Sequence, residues 1–381
     1  MQSKIFIIDP VGGQGGMDYL NHQLCENIYN DEYQITLITS SCYSKNRVHN
    51  VCLYFNNVFS SNSKYVKAIK YIKGMTRTLI HSLQEDIKIF HFQIFHVGIL
   101  QFLFVLASLI LRKKIIISAH DVGSFRDGEK KFLLKNIYKI PHEIIVHSKI
   151  AKNTLITMGI NSNKINLIPL GNYKGLLENN PSKASSKKIF GFSDEDFVVL
   201  FFGQCKKVKR LDILIRAISD AKDKGFRNIK LLVAGPMTDA NDIFLKNLLK
   251  DLLHESYHHT PKFIPNEDLP VYFSAADITV LPYDAIMQSG VILLAMSNNV
   301  PVLVSNLPGM LETVEHGVNG LVFKKADAQD LSKRLLEIYN GSWDLDYFVA
   351  NSNKILNKKY SWKSCANYTK QVYDKFEQIN V

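Results

Sequence analysis

Two stretches decide the fold: FVVLFFGQCKKVKR, residues 197–210, and YDAIMQSGVILLAMSNNVP, residues 283–301. The first begins as an apolar run typical of a buried strand, and Gly203 allows a sharp turn after it. The second places Ser289 and Gly290 at the expected start of a helix. Free backbone N–H groups and the positive end of the helix dipole favour an anion there, provided that the side chains are small. The two stretches therefore predict a site for a phosphate-bearing ligand.

Four cations follow the first strand: Lys206, Lys207, Lys209 and Arg210. They supply enough charge for one diphosphate, and not all of them need to contact it. Lysines after a strand can also serve only to hydrate a loop, and that interpretation stays open, above all for Lys206.

Short apolar strands alternate with helical segments along the whole chain. Such alternation predicts an α/β fold in which parallel sheets are covered by helices on both faces. The clearest strands are residues 4–9, 34–39, 87–92, 115–119, 143–147 and 165–169, and then 198–202, 229–234, 262–264, 278–281 and 300–304. Ser148 is placed to cap a helix and Gly159 to end it.

A polar stretch divides these strands into two series. Residues 176–188 contain Pro181 and three serines, which is the composition of an interdomain linker. The sequence therefore predicts two Rossmann-like, doubly wound domains, residues 1–175 and 189–358. Because ligands of such sheets bind outside the carboxyl ends of the strands, we expect the domains to face each other across a cleft that contains the quoted motifs.

Composition indicates a soluble globular protein of about two domains, with 46% apolar residues and a mean hydropathy of −0.04. The formal net charge is +11, and residues 1–172 carry 20 Lys and Arg against 11 Asp and Glu. This bias favours an anionic surface partner, although no nucleic-acid partner is expected. The cysteines show neither metal-site spacing nor a disulfide framework, so they are expected to be reduced: Cys25, Cys42, Cys52, Cys205 and Cys365.

The amino terminus has a strand pattern from residue 3 and no signal-peptide pattern, which favours a cytoplasmic location. Residues 97–111 are almost all apolar, but a bilayer span needs about 20 residues. We expect a buried Rossmann-type helix there, and a membrane-embedded element is the alternative. Residues 64–83 form a basic amphipathic pattern, which fits either a helix on an anionic membrane surface or an ordinary solvated helix.

Several motifs resemble those of family-four glycosyltransferases of the GT-B fold, over nearly the whole chain. Gly12 and Gly13 follow the first strand, His120 and Asp121 follow a central strand, and FFGQCKKVKRLDILIRA has the family's order of strand, glycine, loop, lysine and helix. The helix that begins YSW at Tyr360 is similar to the family's carboxyl-terminal element. The resemblance implies that residues 359–381 cross back and pack on the N-terminal acceptor domain.

Membership of this family implies transfer of a sugar from a nucleotide diphosphate sugar, with retention at the anomeric carbon. The implied acceptor is a glycan or a lipid-linked sugar in surface polysaccharide or glycolipid biosynthesis. Such an acceptor would suit a peripheral position at the inner face of the membrane. No cofactor and no catalytic metal are expected, since the Asp-x-Asp pairs at 194–196 and 344–346 lie away from the motifs.

The resemblance also implies roles for individual residues. Lys209 corresponds to the lysine that binds the donor phosphate, His120 contacts the donor sugar or organises the acceptor, and Gly13 brings backbone close to the phosphate or sugar. A satisfied structural histidine is the alternative for His120, and His91, His96 and His147 are expected to be structural. The catalytic residues are thus His120 and Lys209, and the donor-binding residues are Gly13, Gly203, Gln204, Lys206, Lys209, Ile264, Pro265, Ser289, Gly290 and Val291.

The chain departs from the family pattern at two places. Gln204 stands where the family often has arginine, and Lys206 is the candidate to replace that charge. Many members carry two glutamates eight positions apart around the second motif, whereas residues 285–295 contain none. Ser289, Gly290 and Leu294 match members that have Ser-Gly and an apolar residue instead, which leaves ribose recognition through that carboxylate open.

Two other functions stay under consideration, and these departures motivate the first of them. One is a non-catalytic nucleotide-sugar binding protein or partner subunit. The other is a nucleotide-sugar epimerase of the same fold, although such an enzyme needs several carboxylates for proton transfer. The donor sugar, its base, the acceptor, the linkage and the oligomeric state stay open.

Overall fold

The computed structural model describes residues 2–15, 17–41, 47–58, 63–95, 97–122, 131–176, 181–237 and 242–376, and only the backbone of residues 14, 15, 131 and 132. The chain divides into two compact units. The first consists of Met1–Gly171 with Tyr360–Val381, and the second of Asn172–Lys359. Each unit is a parallel sheet with helices around it, which confirms the predicted pair of Rossmann-like domains.

The first unit is built on a parallel sheet of seven strands in the order β3-β2-β1-β4-β5-β6-β7. Residues 5–8, in an interior strand of this sheet, are fully buried, as expected for a parallel strand covered on both faces. The strand order reverses between β1 and β4. The strands are β1 Ser3–Asp9, β2 Tyr33–Thr39, β3 Asn50–Cys52, β4 Ile89–Ile94, β5 Lys114–Ala119, β6 Glu143–Val146 and β7 Ile165–Leu167.

The second unit has a parallel sheet of six strands in the order β10-β9-β8-β11-β12-β13, which reverses between β8 and β11. The predicted strand at 262–264 is wrong, because the edge strand is Tyr257–Thr260. That strand is half-buried and carries two histidines, so no apolar run marks it in the sequence. The strands are β8 Phe197–Phe202, β9 Ile229–Ala234, β10 Tyr257–Thr260, β11 Ile278–Leu281, β12 Val302–Ser305 and β13 Leu321–Phe323.

The helices follow the strands in the alternating order expected of this architecture. Ser148 caps α5 as predicted, since its hydroxyl accepts a hydrogen bond from the Ala151 N–H at 3.1 Å. The helices are α1 Met17–Ile28, α2 Lys64–Gln84, α3 Ile99–Ile110, α4 Lys131–Ile137, α5 Lys149–Thr157, α6 Lys183–Ile189, α7 Leu211–Asp223, α8 Asp242–Leu253, α9 Leu269–Ala275, α10 Gly290–Ser297, α11 Pro308–Leu311, α12 Ala328–Tyr339, α13 Leu345–Lys358 and α14 Trp362–Asp374.

The stretch predicted as a linker, residues 176–188, is largely a helix of the second unit. Ser182 caps α6, and the buried Lys187 ammonium lies 3.2 Å from the Asp277 carboxylate. The polar residues of this stretch therefore form a helix cap and an ion pair. The prediction of a linker is wrong because the same polar composition is also typical of flexible segments. Residues 177–180 lie outside the described residues, and the second unit begins at Asn172 rather than at residue 189.

The carboxyl-terminal helix α14 belongs to the first unit and packs against α1, which confirms that the chain returns to its first domain. The Trp362 indole lies so close to Gly171 that a Cβ on this glycine would be 2.2 Å from it. The Tyr373 hydroxyl is 2.7 Å from His91 Nδ1 on β4. These contacts fix α14 to β4 and to the segment that follows β7.

Helix α3 is less buried than its sequence predicts. Phe104 and Val105 are fully buried, whereas Ile99 is 55% exposed and Ile110 is 72% exposed. The expectation of a buried helix is therefore wrong for one face of α3. No helix within the described residues is both long enough and apolar enough to cross a bilayer.

Candidate functional site

The loops that follow β8 and β11 lie side by side in the second unit, because these two strands are neighbours in its sheet. The Asp284 N–H donates a hydrogen bond of 2.8 Å to the Val208 carbonyl and so joins the loops. The strand order reverses between these strands, and this is the point at which open α/β sheets bind ligands. The structure thus brings the two quoted motifs together as predicted.

Gly203 allows Lys209 to fold back over the end of β8. Gly203 has a φ of +97°, and a Cβ built on it would lie 2.7 Å from the Lys209 ammonium. Lys207–Lys209 form a single 3₁₀ turn that carries the ammonium back towards the strand. A side chain at position 203 would therefore displace the Lys209 ammonium from this place.

The Lys209 ammonium lies over the ring of Tyr283, 5.2 Å from its centroid. Burial lowers the pKa of Lys209 to about 8, and burial also raises the pKa of Tyr283. In the described part of this loop the ion pairs are formed by Arg210 and not by Lys209. A cation held in this way is suited to an anionic ligand.

Arg210 connects the two loops. Its guanidinium donates to both Asp212 carboxylate oxygens at 3.0 and 2.9 Å and to Asp284 Oδ2 at 2.8 Å. Its backbone is left-handed, with a φ of +48°, an uncommon conformation for a residue with a side chain. Arg210 therefore holds the loop rather than supplying a charge for a ligand, and the sequence pattern did not reveal this role.

The helix α10 begins at Gly290, directly after the loop that follows β11. Ser289 precedes it and forms no capping hydrogen bond through its side chain. The first N–H groups of a helix have no partner within the helix, and here they belong to Gly290 and Val291. Small residues, N–H groups without a partner inside the helix, and the helix dipole make this terminus suitable for a phosphate.

Tyr173 also lies at this terminus, and sequence reasoning missed it. A Cβ on Gly290 would be 3.0 Å from the Tyr173 hydroxyl, and the Tyr173 N–H donates to Ser297 Oγ at 3.0 Å. This tyrosine is far from α10 in sequence and carries no motif. Only the folded chain shows that they meet.

The other predicted donor residues lie at the same edge of the sheet. Gln204 is exposed and Lys206 is half-buried, directly before the 3₁₀ turn. Ile264 is 5% exposed, and Pro265 precedes a 3₁₀ turn at Asn266–Asp268. This segment follows β10, which is separated from β8 by one strand.

In the first unit, Asp9 organises the loop that contains Gly12 and Gly13. Its carboxylate accepts hydrogen bonds from the N–H groups of Val11 and Gly12 and, at 2.6 Å, from Asn21 Nδ2. Burial raises the pKa of Asp9 to about 6. The Gly13 N–H donates to Ser41 Oγ at 2.6 Å, so this proton of the predicted donor residue is already used within the protein.

His120 follows β5 and lies between two rings. The Phe95 ring is 4.6 Å away and the His147 ring 4.7 Å away, both nearly parallel to it. His120 Nε2 is 2.8 Å from Gln93 Oε1, and burial holds the pKa of His120 well below its usual value. The imidazole is therefore neutral and donates through Nε2 to the glutamine.

His91 and His147 have structural partners, as predicted. His91 Nε2 lies 2.7 Å from Ser118 Oγ, and His147 Nδ1 donates to the Ile168 carbonyl at 2.8 Å. Together with His120 they line a cavity of about 30 Å³. His96 lies outside the described residues.

Comparison with known proteins gives a match to a protein family, individual relatives in sequence, and solved structures of similar fold. Residues 182–372 match the family described as glycosyl transferases group 1. An uncharacterized glycosyltransferase of Methanocaldococcus jannaschii is 27% identical over 196 residues, which are 50% of this chain and 48% of that protein. A capsular polysaccharide biosynthesis glycosyltransferase of Staphylococcus aureus is 24% identical over 261 residues, 65% of this chain and 67% of that protein.

Solved structures match over nearly the whole chain. Anabaena HepE in complex with UDP and glucose has a TM-score of 0.77 at 17% identity and covers 99% of this chain and 100% of its own. WaaG, a glycosyltransferase involved in lipopolysaccharide biosynthesis, has a TM-score of 0.70 at 13% identity and covers 97% and 99%. At these identities the likeness concerns the fold.

Proposed function

Because this chain has the GT-B fold and belongs to the family of glycosyl transferases group 1, we propose that it moves a sugar from a nucleotide diphosphate sugar to a glycan or lipid-linked acceptor, with retention at the anomeric carbon. The observation that carries the proposal is the pairing of a partly buried Lys209 with the open N-terminus of α10 on neighbouring loops. Such a pair can bind a diphosphate.

The chemistry requires negative charge to be stabilised as the diphosphate departs. The Lys209 ammonium and the N–H groups of Gly290 and Val291 are fixed in place before the reaction, which is the arrangement that stabilises such charge most. The acceptor oxygen bonds to the anomeric carbon on the face from which the diphosphate leaves, and a phosphate oxygen takes the acceptor proton. This scheme needs no protein base, so a lack of glutamate at residues 285–295 is compatible with it.

We assign His120 to the transferred sugar or to the ordering of the acceptor. Its neutral imidazole is fixed between Phe95 and His147 and held by Gln93, so the position of the ring is set before a substrate binds. Gln204, Lys206, Ile264 and Pro265 keep their proposed donor-binding roles. Gly13 keeps only the role of bringing backbone close to the donor, because its N–H donates to Ser41 Oγ. We propose no cofactor and no catalytic metal.

The relatives indicate the substrate classes. HepE was solved with UDP-glucose, and other relatives act in capsular polysaccharide biosynthesis or are described as a lipopolysaccharide galactosyltransferase. We therefore propose a nucleoside diphosphate hexose as donor and an acceptor in surface polysaccharide or glycolipid assembly.

Incubation with a panel of UDP- and GDP-sugars tests the proposal. We expect release of the nucleoside diphosphate from one donor, slowly with water and faster with a suitable acceptor. Tight binding of a donor without turnover on any acceptor would favour the non-catalytic binding protein, which Gln204 and the missing glutamates motivate. An epimerised sugar without nucleotide release would identify an epimerase.

We further propose that α2 holds the first unit on an anionic membrane surface. Its exposed apolar residues recur at helical spacing and form one stripe: Tyr65, Ile69, Ile72, Ile80 and Leu83 are 84%, 66%, 43%, 51% and 59% exposed. Exposed Lys73 and Arg77 lie along one side of this stripe. Apolar residues that face solvent beside cations fit a lipid surface better than an ordinary solvated helix.

Helix α3 packs against α2 and has exposed apolar residues of its own. Tyr71 of α2 contacts Phe104 of α3, with ring centroids 6.5 Å apart, while Ile99, Leu103 and Ile110 of α3 are exposed. A peripheral position would bring the enzyme to a lipid-linked acceptor. Positive charge on residues 1–172 favours the anionic leaflet.

Substituting both Ile69→Glu and Ile72→Glu is expected to lower vesicle binding by about 10-fold or more, because two apolar side chains no longer enter the lipid. Flotation with vesicles that contain phosphatidylglycerol, compared with phosphatidylcholine alone, measures the effect. Ile243→Glu on α8 is the matched control, since this residue is 73% exposed in the second unit. Equal flotation of the wild type, the double variant and Ile243→Glu would refute membrane binding through α2. If the wild type is a dimer and only the double variant is a monomer, the apolar stripe binds a second copy of the chain instead.

A further inference from the structure

Three side chains of the first unit form a cluster that sugar transfer does not use. His22 and Glu26 lie four residues apart on α1 and therefore share a helix face, and His49 lies directly before β3. One ligand atom of each residue lies within 4.8 Å of those of the other two. The cluster thus joins the middle of α1 to the edge of the sheet.

The contacts in this cluster are made by atoms that also bind metals. Glu26 Oε1 is 2.5 Å from His49 Nδ1 and 3.9 Å from His22 Nδ1. The His49 side chain is fully buried, so its contact with Glu26 lies inside the protein and not on its surface.

The charge of the cluster also suits a cation, because the Glu26 carboxylate lies beside two imidazoles whose nitrogens are common zinc ligands.

We propose that His22, Glu26 and His49 bind one divalent transition-metal ion, and that zinc is the ion that fits them best. Two imidazoles and one carboxylate are a common zinc ligand set, with metal–ligand distances of about 2.0–2.2 Å. The ion replaces the hydrogen bond between Glu26 and His49, draws the three ligand atoms together and leaves its fourth position to water. The ion thereby holds α1 to the segment that leads into β3.

Zinc titration of tag-free protein stripped with EDTA tests this site, with a chromophoric chelator as competitor. We expect one zinc ion per chain and a higher Tm with zinc than without it, because the ion binds the folded state. Cobalt(II) in place of zinc should give the visible absorption of a coordinated ion. None of these readouts depends on glycosyltransferase activity.

Two variants locate the ion. Glu26→Gln retains an acceptor for His49 and is expected to fold, and both it and His49→Ala should lower zinc affinity by about 10-fold or more. His254→Asn is the control, because His254 is exposed in the second unit and asparagine tolerates its left-handed backbone, at a φ of +50°. Absence of bound zinc in the wild type, or wild-type affinity in Glu26→Gln, would overturn the proposal.

Discussion

Replacing Lys209 by methionine is expected to lower kcat/KM for the donor by about 100-fold or more, while the Tm stays the same or rises. The value of kcat/KM falls because the Lys209 ammonium stabilises the negative charge of the departing diphosphate. The Tm does not fall because burial lowers the pKa of Lys209 from 10.5 to about 8. The charged form is therefore less favourable in the folded protein than in water, and methionine removes that cost. Steady-state kinetics and thermal unfolding measure the two effects.

The dependence on pH separates this role from a structural one. In the free enzyme Lys209 loses its proton above a pH of about 8, so kcat/KM should fall about ten-fold per pH unit beyond that point. Burial raises the pKa of the neighbouring Cys205 to about 12 and raises that of Tyr283, so neither titrates in this range. Lys209→Arg keeps its charge and should lose this decline. If kcat/KM of Lys209→Arg falls above pH 8 as it does in the wild type, the assignment of this decline to Lys209 is wrong.

The same pKa predicts how stability changes with pH. Between pH 8 and 10.5 the unfolded chain holds a proton that folded Lys209 has released. The contribution of Lys209 to the free energy of unfolding therefore rises through that window and is lowest below it. The difference in the free energy of unfolding between wild type and Lys209→Met, measured from pH 8 to 10.5, isolates this contribution.

Gly203→Ala is expected to lower kcat/KM for the donor by about 100-fold, since small displacements of a catalytic group can cost that much. Its new Cβ would lie 2.7 Å from the Lys209 ammonium, which must then move. Alanine at a φ of +97° also adds backbone strain of about 1–2 kcal/mol. Kinetics and thermal unfolding again measure both effects.

Gly225→Ala is the matched control for this strain. Gly225 has a φ of +112°, and no atom of the described residues lies within 4 Å of the position that a Cβ would occupy. Both variants should lose similar stability, but only Gly203→Ala should lose activity. Equal kinetics in the two variants would show that the position of Lys209 over Gly203 does not matter for the reaction.

The sequence predicted those parts of the fold that local patterns encode. The apolar runs at residues 198–202 and 278–281 correspond to β8 and β11, and the glycine and lysine that follow β8 predicted the site at its end. The half-buried strand β10 was misplaced because its residues show no apolar run. The polar helix α6 was mistaken for a linker for the same reason.

The contacts that complete the site depend on which strands are neighbours, and no local pattern encodes that. Arg210 joins Asp212 to Asp284 only because β8 lies next to β11. Tyr173 meets Gly290 across a long sequence separation. The spacing of His22 and Glu26 is visible in the sequence, whereas their approach to His49 is a result of folding.

A crystal structure with the nucleoside diphosphate that the enzyme releases tests the central claim most directly. The account predicts that the diphosphate oxygens accept hydrogen bonds from Lys209 Nζ and from the N–H groups of Gly290 or Val291, with the Ser289 hydroxyl beside them. A diphosphate bound elsewhere, with Lys209 and the start of α10 contacting no part of it, would contradict the account.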